Sequence, residues 1–154
     1  MKSLVAYYSR TGSTKTVAEA IANALNADVE PITADTEGKS MGRLAMQAMF
    51  NARAKIGQTS KDASLYDIVV VGTPVWASKM STPVRTYLAD NKSKFKNVAF
   101  FCTYGGRGSE KTLKGMESFC GKTAVGMLDI LEKDVKSGEY VEKVKRFATE
   151  LQEL

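Results

Sequence analysis

Residues 4–14 read Leu4-Val5-Ala6-Tyr7-Tyr8-Ser9-Arg10-Thr11-Gly12-Ser13-Thr14. A short apolar run here leads into a hydroxyl-rich turn, and a helical pattern begins near Ser13. Such a turn can hold a phosphate group, because a helix N-terminus presents unpaired N–H groups and the positive end of the helix dipole. Gly12 lets the backbone approach without a Cβ, and the hydroxyls add donors. The stretch therefore predicts a strand, a phosphate-binding turn and a helix.

Apolar runs and helical patterns alternate along the rest of the chain. The apolar runs predict strands at residues 3–8, 27–32, 67–72, 97–103 and 122–128. Helical patterns lie between them at residues 13–25, 41–52, 80–88 and 109–119, and a last one begins at Tyr140. Five consecutive βα units predict one α/β domain over residues 1–154. It has three layers, with helices on both faces of a five-stranded parallel sheet of order 2-1-3-4-5.

The composition excludes several classes of function. The chain has no histidine, which rules out a Ser-His-Asp triad and every histidine-containing metal site. Cys102 and Cys120 form neither a zinc spacing nor a CxxC motif, so we expect two buried, reduced cysteines and no metal site. No apolar run approaches the ~20 residues of a membrane span. We therefore expect a cytoplasmic protein that does not bind membranes.

The charge distribution argues against a nucleic-acid partner. The formal net charge is +5, but the Lys and Arg residues are spread through every segment. Nucleic-acid recognition favours a concentrated basic surface with stacking aromatic rings. We expect no nucleic-acid binding.

Two further loops follow the third and fourth predicted strands. They read Gly72-Thr73-Pro74-Val75-Trp76-Ala77-Ser78 and Thr103-Tyr104-Gly105-Gly106-Arg107-Gly108. Ligands of such a sheet bind at the carboxyl ends of the strands, around the point where the strand order reverses. The loops should therefore meet the phosphate-binding turn. An anion cradle with two aromatic rings suits a flat heteroaromatic ligand that carries one phosphate.

The three loops resemble those of flavodoxins, in order and spacing over essentially the whole chain. The pattern Ser9-x-Thr11-Gly12-x-Thr14 is similar to the flavodoxin loop that binds the phosphate of FMN. The run Gly72–Trp76 is similar to the loop that stacks on the isoalloxazine ring, and Tyr104-Gly105-Gly106 falls at the second flavin loop. The resemblance implies a flavodoxin-like fold and FMN as the cofactor.

The resemblance also implies a role for each loop. The phosphate would be bound by the loop of Ser9, Arg10, Thr11, Gly12, Ser13 and Thr14. One side of the flavin would be lined by Thr73, Pro74, Val75, Trp76 and Ala77, with Trp76 against the ring. The pyrimidine end would be held by Thr103, Tyr104, Gly105, Gly106 and Gly108, with Tyr104 over the other face. No catalytic residue is implied.

The function implied is electron transfer between redox partner proteins, a reductase and an acceptor. An alternative is an NAD(P)H-dependent flavin or quinone reductase that uses the same FMN site. A second alternative is a non-enzymatic binding module on the same fold. The chain would be a monomer or a homodimer.

Two features depart from the flavodoxin pattern. Flavodoxins are commonly acidic around the flavin, whereas Arg10 and Arg107 put positive charge into two of these loops. We expect them to favour the reduced, anionic flavin. Met46 and Phe50 lie off the main apolar stripe of the second helix. They are either additional core residues or an exposed apolar pair for a partner, a dimer interface or a flavin cover.

Overall fold

Parallel strands form the middle layer of the computed structural model, which describes residues 1–36 and 38–154. The strands in this part of the chain are β1 (Ser3–Tyr7), β2 (Asp28–Pro31), β3 (Ile68–Trp76), β4 (Lys79–Met80), β5 (Asn97–Tyr104) and β6 (Met127–Leu131). The parallel strands have the order β2-β1-β3-β5-β6, and the two-residue β4 pairs antiparallel with β3. The predicted order of five parallel strands is confirmed, and β4 is an addition to it.

The helices cover both faces of this sheet. They are α1 (Ser13–Leu25), α2 (Met41–Met49), α3 (Thr82–Asn91), α4 (Ser109–Cys120), α5 (Glu132–Ser137) and α6 (Tyr140–Gln152). Single 3-10 turns lie at Ala63–Leu65 and Lys92–Lys94. Among the described residues, no helix is long and apolar enough to cross a membrane.

Each face of the sheet has its own hydrophobic core. Val69 and Val71 of β3 pack with the residues of α2, α3 and α4, whereas Ile68 and Val70 pack with those of α1 and α6. This alternation follows from the two-residue period of a strand. Helices cover both faces of β3, and this burial on both sides agrees with the continuous apolar run in its sequence.

The predicted fifth strand at 122–128 is wrong in position, because β6 begins only at Met127. The Ala124 N–H donates to the Glu117 carboxylate at 2.7 Å, which holds the chain against α4. The first bond to β5 is made by Val125, whose N–H donates to the Val98 carbonyl at 2.9 Å. The apolar run at 122–128 is therefore mostly an approach to the strand.

The third strand is longer than predicted. β3 continues through Trp76 and turns back at Ala77 and Ser78 into β4, so residues 73–76 are strand and only the turn is loop. Ala77 and Ser78 have φ values of 52° and 60°, as a two-residue hairpin turn with two left-handed residues requires. Met80, predicted in the third helix, belongs to β4, and α3 begins at Thr82.

Candidate functional site

The loop between β1 and α1 presents the N-terminus of a helix. Gly12 has φ +105°, a left-handed conformation that favours glycine, and it precedes the first helical residue, Ser13. The Ser9 hydroxyl accepts the Gly12 N–H at 3.1 Å, and the Gly12 carbonyl accepts both the N–H and the hydroxyl of Thr16 at 3.0 Å. In the described chain, no side chain caps α1. Its first-turn N–H groups are therefore available to an anion.

A cavity of about 190 Å³ lies where the predicted loops meet. Its walls are formed by Arg10, Thr11, Thr14, Met41, Pro74, Val75, Trp76, Thr103, Tyr104, Gly105 and Glu132. The phosphate-binding turn, the end of β3 and the end of β5 all contribute, so their predicted convergence is present in the structure. We call this space the flavin cavity, after the ligand that the sequence resemblance implies.

A buried hydrogen bond joins two of these loops. The Thr14 and Thr103 hydroxyl oxygens are 2.7 Å apart, and both side chains are almost completely buried. The bond connects the start of α1 to the end of β5. It fixes the floor of the cavity where the two segments meet.

Trp76 is mostly a core residue. Only 2% of it is exposed, and its ring packs edge-on against Tyr8, with centroids 5.7 Å apart and planes at 86°. The Tyr8 hydroxyl is in turn 2.7 Å from the hydroxyl of Thr36. Trp76 thus offers the cavity little surface, whereas Val75 and Tyr104 are half-buried and more accessible. Stacking of Trp76 on a flavin stays a prediction.

The remaining predicted site residues do not line the cavity. These are Ser9, Gly12, Ser13, Thr73, Ala77, Gly106 and Gly108. Thr73 is fully buried, and its hydroxyl accepts the Ser81 N–H at 2.9 Å, which holds the hairpin closed. Gly108 has φ +93° at the start of α4, and a Cβ there would lie 2.7 Å from the Ser78 hydroxyl. Thr73, Ala77 and Gly108 therefore shape the hairpin beside the cavity.

Sequence reasoning missed Met41 and Glu132, which both line the cavity. Glu132 directly follows β6, so it stands at the carboxyl end of a parallel strand like the other site residues. The strand-end rule would have found it if the fifth strand had been placed correctly. Met41 begins α2 and carries no comparable signal.

Few groups with a shifted pKa lie near the cavity. Burial raises the pKa of Tyr104, and the nearby Asp129 carboxylate raises it further. Burial also raises the pKa of the Cys102 thiol, and both cysteines are buried and unpaired, as expected. Arg10 is exposed, and its guanidinium donates to the Lys39 carbonyl at 3.3 Å. Arg107 is exposed and outside the cavity wall.

The apolar pair of α2 and its C-terminus is exposed. The exposed fractions are 54% for Met46 and 75% for Phe50, so the alternative in which they belong to the core is wrong. Met49 is also exposed. None of these three side chains lines the flavin cavity.

The doubly wound sheet and the cavity at its strand ends define an α/β protein whose ligand site lies at the point where the strand order reverses. The family model described as flavodoxin matches residues 2–146, and the chain belongs to the flavodoxin family. No functionally curated protein matches the sequence at a significant level.

Several solved structures share the fold. A flavoprotein from Lactobacillus acidophilus NCFM, crystallised in complex with FMN, is similar with a TM-score of 0.75 and 23% identity, over 88% of this chain and 97% of that one. A protein from Bacteroides uniformis ATCC 8492, classed as a flavoprotein, has a TM-score of 0.79 and 21% identity, over 96% and 97% of the chains. Oxidised flavodoxin 2 from Bacillus cereus has a TM-score of 0.67 and 18% identity, over 99% of both chains. At these identities the likeness shows the fold.

Proposed function

We propose that this chain binds FMN in the flavin cavity and serves as an electron-transfer protein. The observation that carries the proposal is the uncapped N-terminus of α1 opening beside a cavity formed by three strand ends. Family membership and the FMN complex of the Lactobacillus acidophilus protein support the choice of cofactor.

The residues present fit the two ends of FMN. The first-turn N–H groups of α1, with the Thr11 hydroxyl and Arg10, form an anion site for the phosphate. Pro74 and Val75 stand on one side of the cavity, and it is also lined by Tyr104, the last residue of β5, and by Gly105, which follows it. Bound FMN would supply the electron-transfer chemistry, which the side chains alone cannot perform.

The size of the flavin cavity is consistent with a carrier. Its volume of about 190 Å³ is below the ~300–1,000 Å³ of pockets that enclose a whole ligand. A cavity of this size would leave part of a bound FMN at its rim, where a redox partner could approach. Among the described residues of the wall, the candidate proton-transfer groups are the Glu132 carboxyl and the Tyr104 hydroxyl, whose pKa burial raises, and the sequence has no histidine.

The unpaired, buried cysteines suit a reducing compartment such as the cytoplasm. The partners of a carrier there would be a reductase that donates electrons and a protein that accepts them. Neither role requires a catalytic side chain in this chain.

Anaerobic mixing of the FMN-loaded protein with NADH or NADPH tests the proposed role. A carrier keeps its oxidised flavin spectrum until a partner reductase is added. Rapid bleaching by NADH or NADPH alone would show a reductase instead. A protein that retains no flavin after incubation with FMN would contradict the whole proposal.

A further inference from the structure

A second concave surface, which we call the cationic groove, lies beside the β3–β4 hairpin. Residues of α3, α4 and the hairpin form its walls, with Asn51 from the end of α2, and it encloses about 350 Å³. Three of its lining side chains are cations: Lys79, Arg85 and Lys111. Among the described residues, no carboxylate lines it, and it shares no lining residue with the flavin cavity.

Two of the cations are held by uncharged acceptors. The Lys79 ammonium donates to the Asn51 side-chain oxygen at 2.8 Å and to the Met49 carbonyl at 3.0 Å. The Arg85 guanidinium donates to the same Asn51 oxygen at 3.2 Å. In residues 1–36 and 38–154, none of the ion pairs involves Lys79 or Arg85. Asn51 therefore orients both cations without neutralising either.

Three cations lie over or near the ring of Phe119 beside the groove. The Lys92 ammonium and the Arg85 guanidinium lie 4.6 Å and 4.8 Å from the ring centroid, and Arg53 lies 6.0 Å away. Burial lowers the pKa of Arg85, and the neighbouring Arg53 charge lowers it further. The cations repel one another, so an anion that contacts several of them at once would stabilise the cluster.

We propose that the cationic groove binds the diphosphate group of a small organic molecule. A guanidinium beside two ammonium groups matches an oxyanion with several charges. The side-chain oxygen of Asn51 is occupied, so its amide N–H groups remain as donors for phosphate oxygens. The volume lies within the ~300–1,000 Å³ of small-molecule pockets.

Site-resolved NMR titration of the full chain tests this proposal independently of FMN. Inorganic pyrophosphate, ADP and adenosine are added separately to ¹⁵N-labelled protein at constant ionic strength. Pyrophosphate and ADP should give saturable shifts of the Arg85 Nε–H and the Asn51 side-chain amide, and adenosine should not. Arg85→Gln should weaken pyrophosphate binding at least about tenfold, because hydrogen bonds to charged groups are strong. The matched control is Lys96→Gln, which removes an exposed charge just before β5, at the amino ends of the parallel strands.

Three results would overturn the proposal. Shifts confined to residues 9–14 would mean that pyrophosphate binds only the phosphate-binding turn. Equal weakening by Arg85→Gln and Lys96→Gln would show a general charge effect. If adenosine bound as tightly as ADP, the phosphate groups would not contribute to binding. If Arg85→Gln does not fold, Lys111→Gln removes an exposed groove cation and is compared with the same control.

Discussion

The hydroxyl oxygens of Thr14 and Thr103 lie 2.7 Å apart, although the two residues are 89 positions apart in the sequence. Their bond joins the first turn of α1 to the end of β5 under the flavin cavity. Because both groups are buried, removing one hydroxyl leaves the other without its partner.

Replacing Thr103 by valine should lower the free energy of unfolding by about 1–2 kcal/mol, because a buried hydroxyl loses its partner. The double variant Thr14→Val with Thr103→Val should cost little more, since it leaves no orphaned hydroxyl. Urea denaturation of the wild type, both single variants and the double variant measures the coupling. Strictly additive losses would show that the two hydroxyls do not interact.

Gly72 and Gly115 should respond in opposite directions to substitution by alanine. A Cβ on Gly72 would overlap the Phe101 ring, so Gly72→Ala should destabilise the chain by about 1–3 kcal/mol. Gly115 lies inside α4 with open space around it, so Gly115→Ala should stabilise the chain by about 0.5–1 kcal/mol. Urea denaturation distinguishes the two, and a tolerated Gly72→Ala would contradict this packing.

The Tyr66–Asp28 hydrogen bond should make stability sensitive to alkaline pH. The Tyr66 hydroxyl donates to the Asp28 carboxylate at 2.7 Å. Burial, this bond and the charges of Asp28 and Glu30 raise the pKa of Tyr66 to about 12. The folded-state pKa exceeds the unfolded value near 10, so the contribution is complete below pH ~10 and is lost as pH rises toward ~12.

Comparison with Tyr66→Phe isolates this contribution, because the variant lacks the titrating group. The wild type should be the more stable protein at pH ~8, and its advantage should shrink by pH ~11. Urea denaturation at both pH values gives the difference. An advantage that stays constant would mean that Tyr66 does not titrate in this range.

Arg10 should make the reduction of bound FMN easier, because its positive charge lies at the wall of the flavin cavity. One positive charge ~10 Å from the flavin is worth roughly 1.7 kcal/mol at an effective dielectric near 20, or about 70 mV for one electron. Solvent screening reduces this value for an exposed side chain.

Arg10→Gln should therefore lower the potential of the couple that ends in the anionic reduced flavin by up to about 70 mV. Arg107→Gln should have a smaller effect, because Arg107 lies outside the cavity wall. Spectroelectrochemical titration measures both, with Lys96→Gln as the charge control. Unchanged potentials in both arginine variants would reject the electrostatic effect.

Sequence patterns predicted the start of α1, the order of the parallel strands and the meeting of the three loops. The start of α1 at Ser13 follows from the preceding turn and the apolar stripe of the helix, and the order of the parallel strands follows from the βα repeats. The convergence of the three loops on one cavity follows from that order. These predictions need no knowledge of distant contacts.

Features set by distant contacts could not be predicted in this way. Trp76 is buried in the hydrophobic core, where Tyr8 from another strand end packs against its ring. The bond from Ala124 to Glu117 holds the segment before β6 against α4, and the strand begins only after it, at Met127. The Lys79–Asn51–Arg85 contacts join the hairpin, the end of α2 and α3, and no sequence pattern connects these segments.

Fluorescence titration of flavin-free protein with FMN and with riboflavin tests the central claim most directly. FMN should bind with one molecule per chain. Riboflavin should bind at least about tenfold more weakly, because it lacks the phosphate that the N-terminus of α1 would hold. Equal affinity for the two flavins, or no binding of FMN, would contradict this account of the site.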